Sequence, residues 1–170
     1  MAIPLADDET RSSAPPVVPA ILFLLCATTA CRAADVPVPA SCTPGVNQRL
    51  TTLIHSGVQH DVDNVMVCGV TVSPSRTQYG GPHGNHDIIP LLAHFPDGST
   101  SLIEVVINED LDGRITAPKG ASVFAFGQAF FNRTGRFAAG IHDVHCATHR
   151  GADNGWVVVN GRKSPKGCGL

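Results

Sequence analysis

Hydrophobic residues change their spacing along this chain, and the change divides it into elements. Residues 45–55 (GVNQRLTTLIH) place Val46, Leu50, Leu53 and Ile54 at helical intervals, which predicts a short amphipathic helix. From residue 61 the texture turns to β: valines recur at 62, 65, 67, 70 and 72 in DVDNVMVCGVTVS. A loop marked by Ser-Pro, Gly-Gly and Gly-Asn follows over residues 73–85. Residues 88–95 then read as a second strand, Pro96-Asp97-Gly98-Ser99 as a turn, and residues 101–107 (SLIEVVI) as the returning third strand.

Residues 108–119 are too punctuated for more than a helical turn. Two further strands are predicted at 121–131 and 136–142, around a turn at Thr134-Gly135, and a last short one at 156–160, ending at Asn160-Gly161. Five main strands with a longer connection between the third and fourth predict a mainly β fold, a small Greek-key barrel of the OB type with a short N-terminal helix. A β-sandwich is the competing architecture, because strand number alone does not separate closed from stacked sheets.

Before the barrel, residues 17–30 (VVPAILFLLCATTA) form an almost uncharged run ending in small residues, the form of a secretory h-region and cleavage site. Its flank is unusual, since Asp7, Asp8 and Glu9 outweigh Arg11. Cleavage after Ala30 would expose Cys31, and Thr-Thr-Ala-Cys is a loose lipoprotein box, so Cys31 is a lipidation candidate beside ordinary cleavage. The expected organisation is a signal peptide or lipoprotein leader over 1–34, a proline-marked linker over 35–44 and one domain over 45–170. Export to the periplasm, the outer membrane or the exterior follows, with a lipid anchor at the membrane as the alternative if Cys31 is lipidated.

Export also bears on the cysteines. Cys42, Cys68, Cys146 and Cys168 form an even set beyond the leader, which predicts two disulfides. Three pairings exist, and the favoured one joins Cys42 to Cys168 and Cys68 to Cys146. A rival reading makes Cys146 a thiolate ligand of zinc or copper. Residues 35–170 carry ten Lys or Arg against eleven Asp or Glu, so there is no strong nucleic-acid signature. Arg162, Lys163 and Lys166 read as a solubilising tail.

Candidate chemistry concentrates in residues 140–156, which hold His142, Asp143, His145, Cys146, His149, Asp153 and the only tryptophan, Trp156. Imidazole titrates near neutrality and is the commonest metal ligand. His142 and His145, three apart, cannot share a face of a regular strand, so they belong on a turn or loop. With His86 arriving from the start of the second strand, three imidazoles could form a facial set with one open position. His149 is a reserve ligand, and Asp143 or Asp153 would orient a ring nitrogen. His55, His60, His83 and His94 read as surface residues.

Several stretches also resemble a family of small exported bacterial proteins of unknown function. They are Gly84-Asn85-His86, residues 107–111 (INEDL) with Arg114-Ile115, residues 119–123 (KGASV) with Gly127, and residues 142–161. In that family the second strand opens with Arg-His-Gln and the third ends in His-Asn-Ile-Asp-Leu. Its C-terminal region reads His-Trp-Thr-His-His-Asp-Pro, a further His, Gly-Trp and Asn-Gly. His142 and His145 match the first two motif histidines, Cys146 stands at the third, and Asn160-Gly161 matches the closing pair. Ala147 and Thr148 replace the Asp-Pro, Ala152 the later histidine and Ile107 the histidine before Asn108, while His149 is this chain's own. The resemblance covers roughly residues 45–163 and implies an exported OB-like barrel with a polar, His-rich face; it brings no activity.

Three functions fit these residues. The first is a binding module for a metal ion, zinc or copper, or a small polar ligand, through His86, His142, His145 and His149. The second is a metal-dependent hydrolase of phosphodiesterase or nuclease type, with His142 or His145 as general base and Arg114 or Arg150 stabilising an anion. It is the weaker, because paired carboxylates at fixed spacing are lacking and Glu109, Asp110 and Asp112 read as a solvated acidic loop. The third is an envelope protein binding a protein partner through Trp156 and its valines, although such a tryptophan is more often core. Asn132-Arg133-Thr134 has the form of a glycosylation acceptor, without meaning in a bacterial product.

Overall fold

A computed structural model describes residues 33–81, 84–131 and 135–168. Residues 1–32 of the leader, Cys31 among them, His83 and the Asn132-Arg133-Thr134 triplet lie outside the described residues. A 3-10 turn over Pro44–Asn47 leads into helix α1 (Gln48–Ser56), which ends at Gly57 in a left-handed conformation. The strands are β1 (Val62–Thr71), β2 (Arg76–Tyr79), β3 (Asn85–His94), β4 (Thr100–Asn108), β5 (Ser122–Phe130), β6 (Ala139–His142), β7 (Trp156–Val159) and β8 (Arg162–Ser164). A single helical turn, α2 (Glu109–Asp112), separates β4 from β5. Among the described residues no helix is long and apolar enough to cross a membrane.

Five of these strands close on themselves. β1 pairs β3, β3 pairs β4, β4 pairs β6 in parallel, β6 pairs β5, and β5 returns to β1. The result is a closed five-stranded barrel of mixed direction with a short helix before it, an OB-like architecture rather than a sandwich. Alternation fills the interior: Val65 and Val67 of β1, Ile89 and Leu91 of β3, Ile103, Val105 and Ile107 of β4, and Val123 and Ala125 of β5 are fully buried. Leu50 of α1 joins this core, with Leu53 and Ile54 packed against it.

Asn47 secures the helix to the barrel. Its side-chain amide donates to the carbonyls of Cys68 (3.1 Å) and His94 (2.9 Å), and its oxygen accepts from the Cys68 backbone nitrogen at 2.7 Å. Cys68 therefore faces the start of the helical segment, where Cys42 waits. The disulfides join Cys42 to Cys68 and Cys146 to Cys168, correcting the favoured pairing while keeping the same four cysteines. The second bridge follows from the β7–β8 hairpin, which turns the chain end back toward the residues preceding β7. Both bridges are compatible with an exported protein.

Three elements depart from expectation. β2 lies inside the predicted loop and pairs with the first residues of β3, which starts at Asn85 rather than at 88. Asn160 and Gly161, with φ of 47° and 82°, do not merely end β7 but turn it into β8. Residues 34–38 dock instead of linking. Ala34 and Asp35 bond to Asp153 and Asn154, and Val36 and Val38 pack on a second core of Phe126, Trp156 and Val158. Trp156 donates its indole N–H to the Val36 carbonyl at 2.8 Å and is 1% exposed, so it is not a docking surface.

Candidate functional site: a histidine-lined cavity at the barrel mouth

The site begins with an irregularity in β1. Its pairing with β5 slips between Val62 and Val65, and Asn64 takes a left-handed φ of 62°. The bulge exposes polar groups that hold neighbouring segments. Arg49 of α1 donates to the carbonyls of Asp63 and Asn64 at 3.1 and 3.0 Å, and Asn64 Oδ1 accepts from the Asp153 backbone nitrogen at 2.8 Å. Asn64 Nδ2 reaches the carbonyl of Gly151 at 3.3 Å. The long loop between β6 and β7 is thereby tied to β1 at its far side.

Its near side is fixed at the end of β6. His142 is the last strand residue, and Asp143 turns the chain with φ of 52°, a conformation that aspartate tolerates better than most residues. This break in the strand lets His142 and His145 reach one cavity although they are three apart. Two glycines make room for it: a Cβ at Gly127 would overlap the His142 carbonyl oxygen, and one at Gly155 the Asp143 carbonyl oxygen.

The cavity, about 280 Å³, is lined by His86, Val106, Asn108, Leu111, His142, Asp143 and His145. His86 and Asn108 are register partners on β3 and β4, so the fold brings His86 to the end of β6. Asp143 Oδ1 stands 3.3 Å from His142 Nδ1 and 3.6 Å from His145 Nε2. His145 Nδ1 lies 2.8 Å from the Cys146 carbonyl, which sets that nitrogen as a donor. The His142 ring meets Phe130 edge-on at 5.3 Å, and its Nε2 is shielded from water without a protein partner.

Charges around the cavity favour a cationic His142. Burial alone would lower its pKa, but the hydrogen bond and charge of Asp143, joined by the charges of Asp61 and Asp63, raise it above the ordinary value. Asp143 is correspondingly lowered, first by the hydrogen bond from His142 and then, against burial, by the nearby histidines.

The other sequence candidates sit elsewhere. His149 lies on the flank with Nε2 3.4 Å from Asp63 Oδ2, in a small recess shared with Asp143 and His145 but not with His86. Asp153 does not orient a ring; its Oδ1 accepts from the Ala34 backbone nitrogen. Arg114 lines a different cleft and donates to the Thr77 hydroxyl at 3.1 Å, and Arg150 is exposed. Cys146 is in a disulfide and is no thiolate ligand. His55 pairs with Asp97 at the surface at 3.6 Å, and His60 and His94 are exposed as expected.

Sequence reasoning missed Asp112. Far from being a solvated loop residue, it keeps both carboxylate oxygens shielded from water. Burial raises its pKa, against the charge of His145 and a hydrogen bond from the Asn108 backbone, with Asp143 adding to the rise. Nothing in the run Glu109-Asp110-Leu111-Asp112 marks that residue out, because its burial comes from packing of the α2 turn against the barrel. In comparison with known proteins, no family model matches the chain, and neither a curated protein nor a solved structure does.

Proposed function

We propose that the domain is an exported binding module and that the cavity bearing His86, His142 and His145 holds a transition-metal ion, zinc or copper. The observation carrying this reading is the convergence of His142 Nδ1 and His145 Nε2 on one oxygen of Asp143, at 3.3 and 3.6 Å. Zinc bonds of about 2.1 Å to nitrogen and oxygen put two ligand atoms of a tetrahedral ion about 3.4 Å apart, so both pairs already have ligand spacing. Among the described residues no three His, Cys, Asp or Glu side chains yet form a complete ligand set. Binding therefore draws His86 inward by side-chain rotation, an adjustment that a cavity of this size permits.

A binding role fits the donor set better than hydrolysis does. The thiol nearest the histidines is consumed by the Cys146–Cys168 bridge, and Arg114, the residue suited to stabilise an anion, faces another cleft. The Cys146 carbonyl fixes the His145 tautomer and leaves Nε2 as the coordinating nitrogen, the kind of outer support that metal-binding histidines use.

The test is elemental analysis of protein purified without chelator and without a histidine tag. Near-stoichiometric zinc or copper, lost from the His142→Ala/His145→Ala variant, is the expected result. Protein that retains no metal, and takes up neither when each is added back, would overturn the reading.

A further inference from the structure

Away from the histidine cavity, a larger cleft of about 640 Å³ opens between the segment after α2 and the β7–β8 hairpin. Arg162 and Val159 are register partners across that hairpin, so Arg162 stands on the face of the core-packed Val159. Lys163 points to the opposite face, with Nζ over the Trp156 ring at 5.6 Å. Arg114 reaches the cleft from the other wall, just past Gly113. The fold thus gathers two arginines 48 positions apart, one of which the sequence offered only as part of a solubilising tail.

Neither arginine is neutralised. Every ion pair among the described residues has histidine as its cation, so Arg114 and Arg162 have no carboxylate within bonding distance. Two guanidinium groups without a carboxylate partner suit an oxyanion, which they grip through paired N–H donors. Thr116 and Ser164, which also line the cleft, offer hydroxyls that pair with those of a ligand.

We propose that this cleft binds a small hydroxylated oxyanion, a sugar acid or a sugar phosphate, with Arg114 and Arg162 on the oxyanion and Thr116 and Ser164 on its hydroxyls. The site is independent of the histidine cavity and does not depend on a metal there.

The test is an amide-shift titration of the disulfide-intact full chain with glucuronate, glucose 6-phosphate, glucose and inorganic phosphate. Saturable shifts confined to residues 112–118 and 159–164 are expected for one or both sugar anions. A response to glucuronate alone identifies a carboxylate ligand, and to glucose 6-phosphate alone a phosphate ligand. Glucose should bind at least about tenfold more weakly. Arg114→Gln and Arg162→Gln alter exposed side chains, so they should keep the spectrum elsewhere and weaken binding about tenfold each. Thr116→Val combined with Ser164→Ala should weaken the sugar anions but not inorganic phosphate. Absence of saturable shifts with both sugar anions, unchanged affinity in the arginine variants, or inorganic phosphate binding as tightly as the sugar anions would overturn the proposal.

Discussion

Gly155 lies against the carbonyl of Asp143 so closely that a Cβ at position 155 would overlap its oxygen, while the Gly155 backbone nitrogen donates to the His145 carbonyl at 2.7 Å. The start of β7 and the turn after β6 are thereby pressed together, and that contact sets the direction of both histidines. Gly155→Ala must push the 143–145 backbone away. Overpacking of this kind costs about 1–3 kcal/mol. Chemical denaturation should show that loss, and metal uptake should fall with it because the histidine spacing is disturbed.

Asn47 makes three hydrogen bonds from a fully buried side chain, to two different strands. Asn47→Ala leaves the Cys68 nitrogen and two carbonyls without those partners. The expected destabilisation is about 3 kcal/mol, since each buried group left unsatisfied costs about 1–3 kcal/mol. Urea denaturation measures it, and metal uptake by the folded fraction should be unchanged, because α1 does not line the cavity.

Half-buried Glu104 has a pKa raised by burial, with Arg76 partly opposing the shift. A folded-state value above the ordinary 4.5 means that the ionised form weakens the fold. Stability linked to this group is fully present below pH 4.5 and is lost as pH rises through the folded-state value. Glu104→Gln should therefore be more stable than the parent at pH 7, with the gain vanishing below about pH 4.5. Parallel melting curves at pH 4 and pH 7 give the comparison.

The bridges close loops of similar length, 26 residues for Cys42–Cys68 and 22 for Cys146–Cys168. Chain entropy assigns each about 3 kcal/mol. Their consequences differ by location. Cys146→Ala/Cys168→Ala should loosen the loop that carries His145 and weaken metal binding, whereas Cys42→Ala/Cys68→Ala should lower stability alone. Peptide mapping under non-reducing conditions checks the pairing itself.

Strong alternation made the barrel strands legible: Ile103, Val105 and Ile107 are buried as their spacing requires. β2 was not legible, because Arg76, Thr77, Gln78 and Tyr79 present no apolar face and Tyr79 is 82% exposed; pairing with β3 alone makes it a strand. β8 was announced by Asn160-Gly161, a hairpin signal, but Arg162, Lys163 and Ser164 offer no hydrophobic pattern after it. The cysteine set was readable and its pairing was not, since pairing depends on which elements meet. The same holds for the site. Local spacing placed His142 and His145 at a break, whereas the partner role of Asp143, the isolation of Asp153 and the burial of Asp112 arise from the bulge at Asn64 and the packing of the loop.

His86, far away in sequence, lines one cavity with His142 and His145, whereas His149 lines a separate recess. Zinc titration of the parent, His86→Ala and His149→Ala, followed by calorimetry, tests it most directly. One saturable site is expected in the parent, at least about tenfold weaker in His86→Ala and within about twofold of the parent in His149→Ala. Unchanged affinity in His86→Ala, or no zinc binding by the parent, would contradict it.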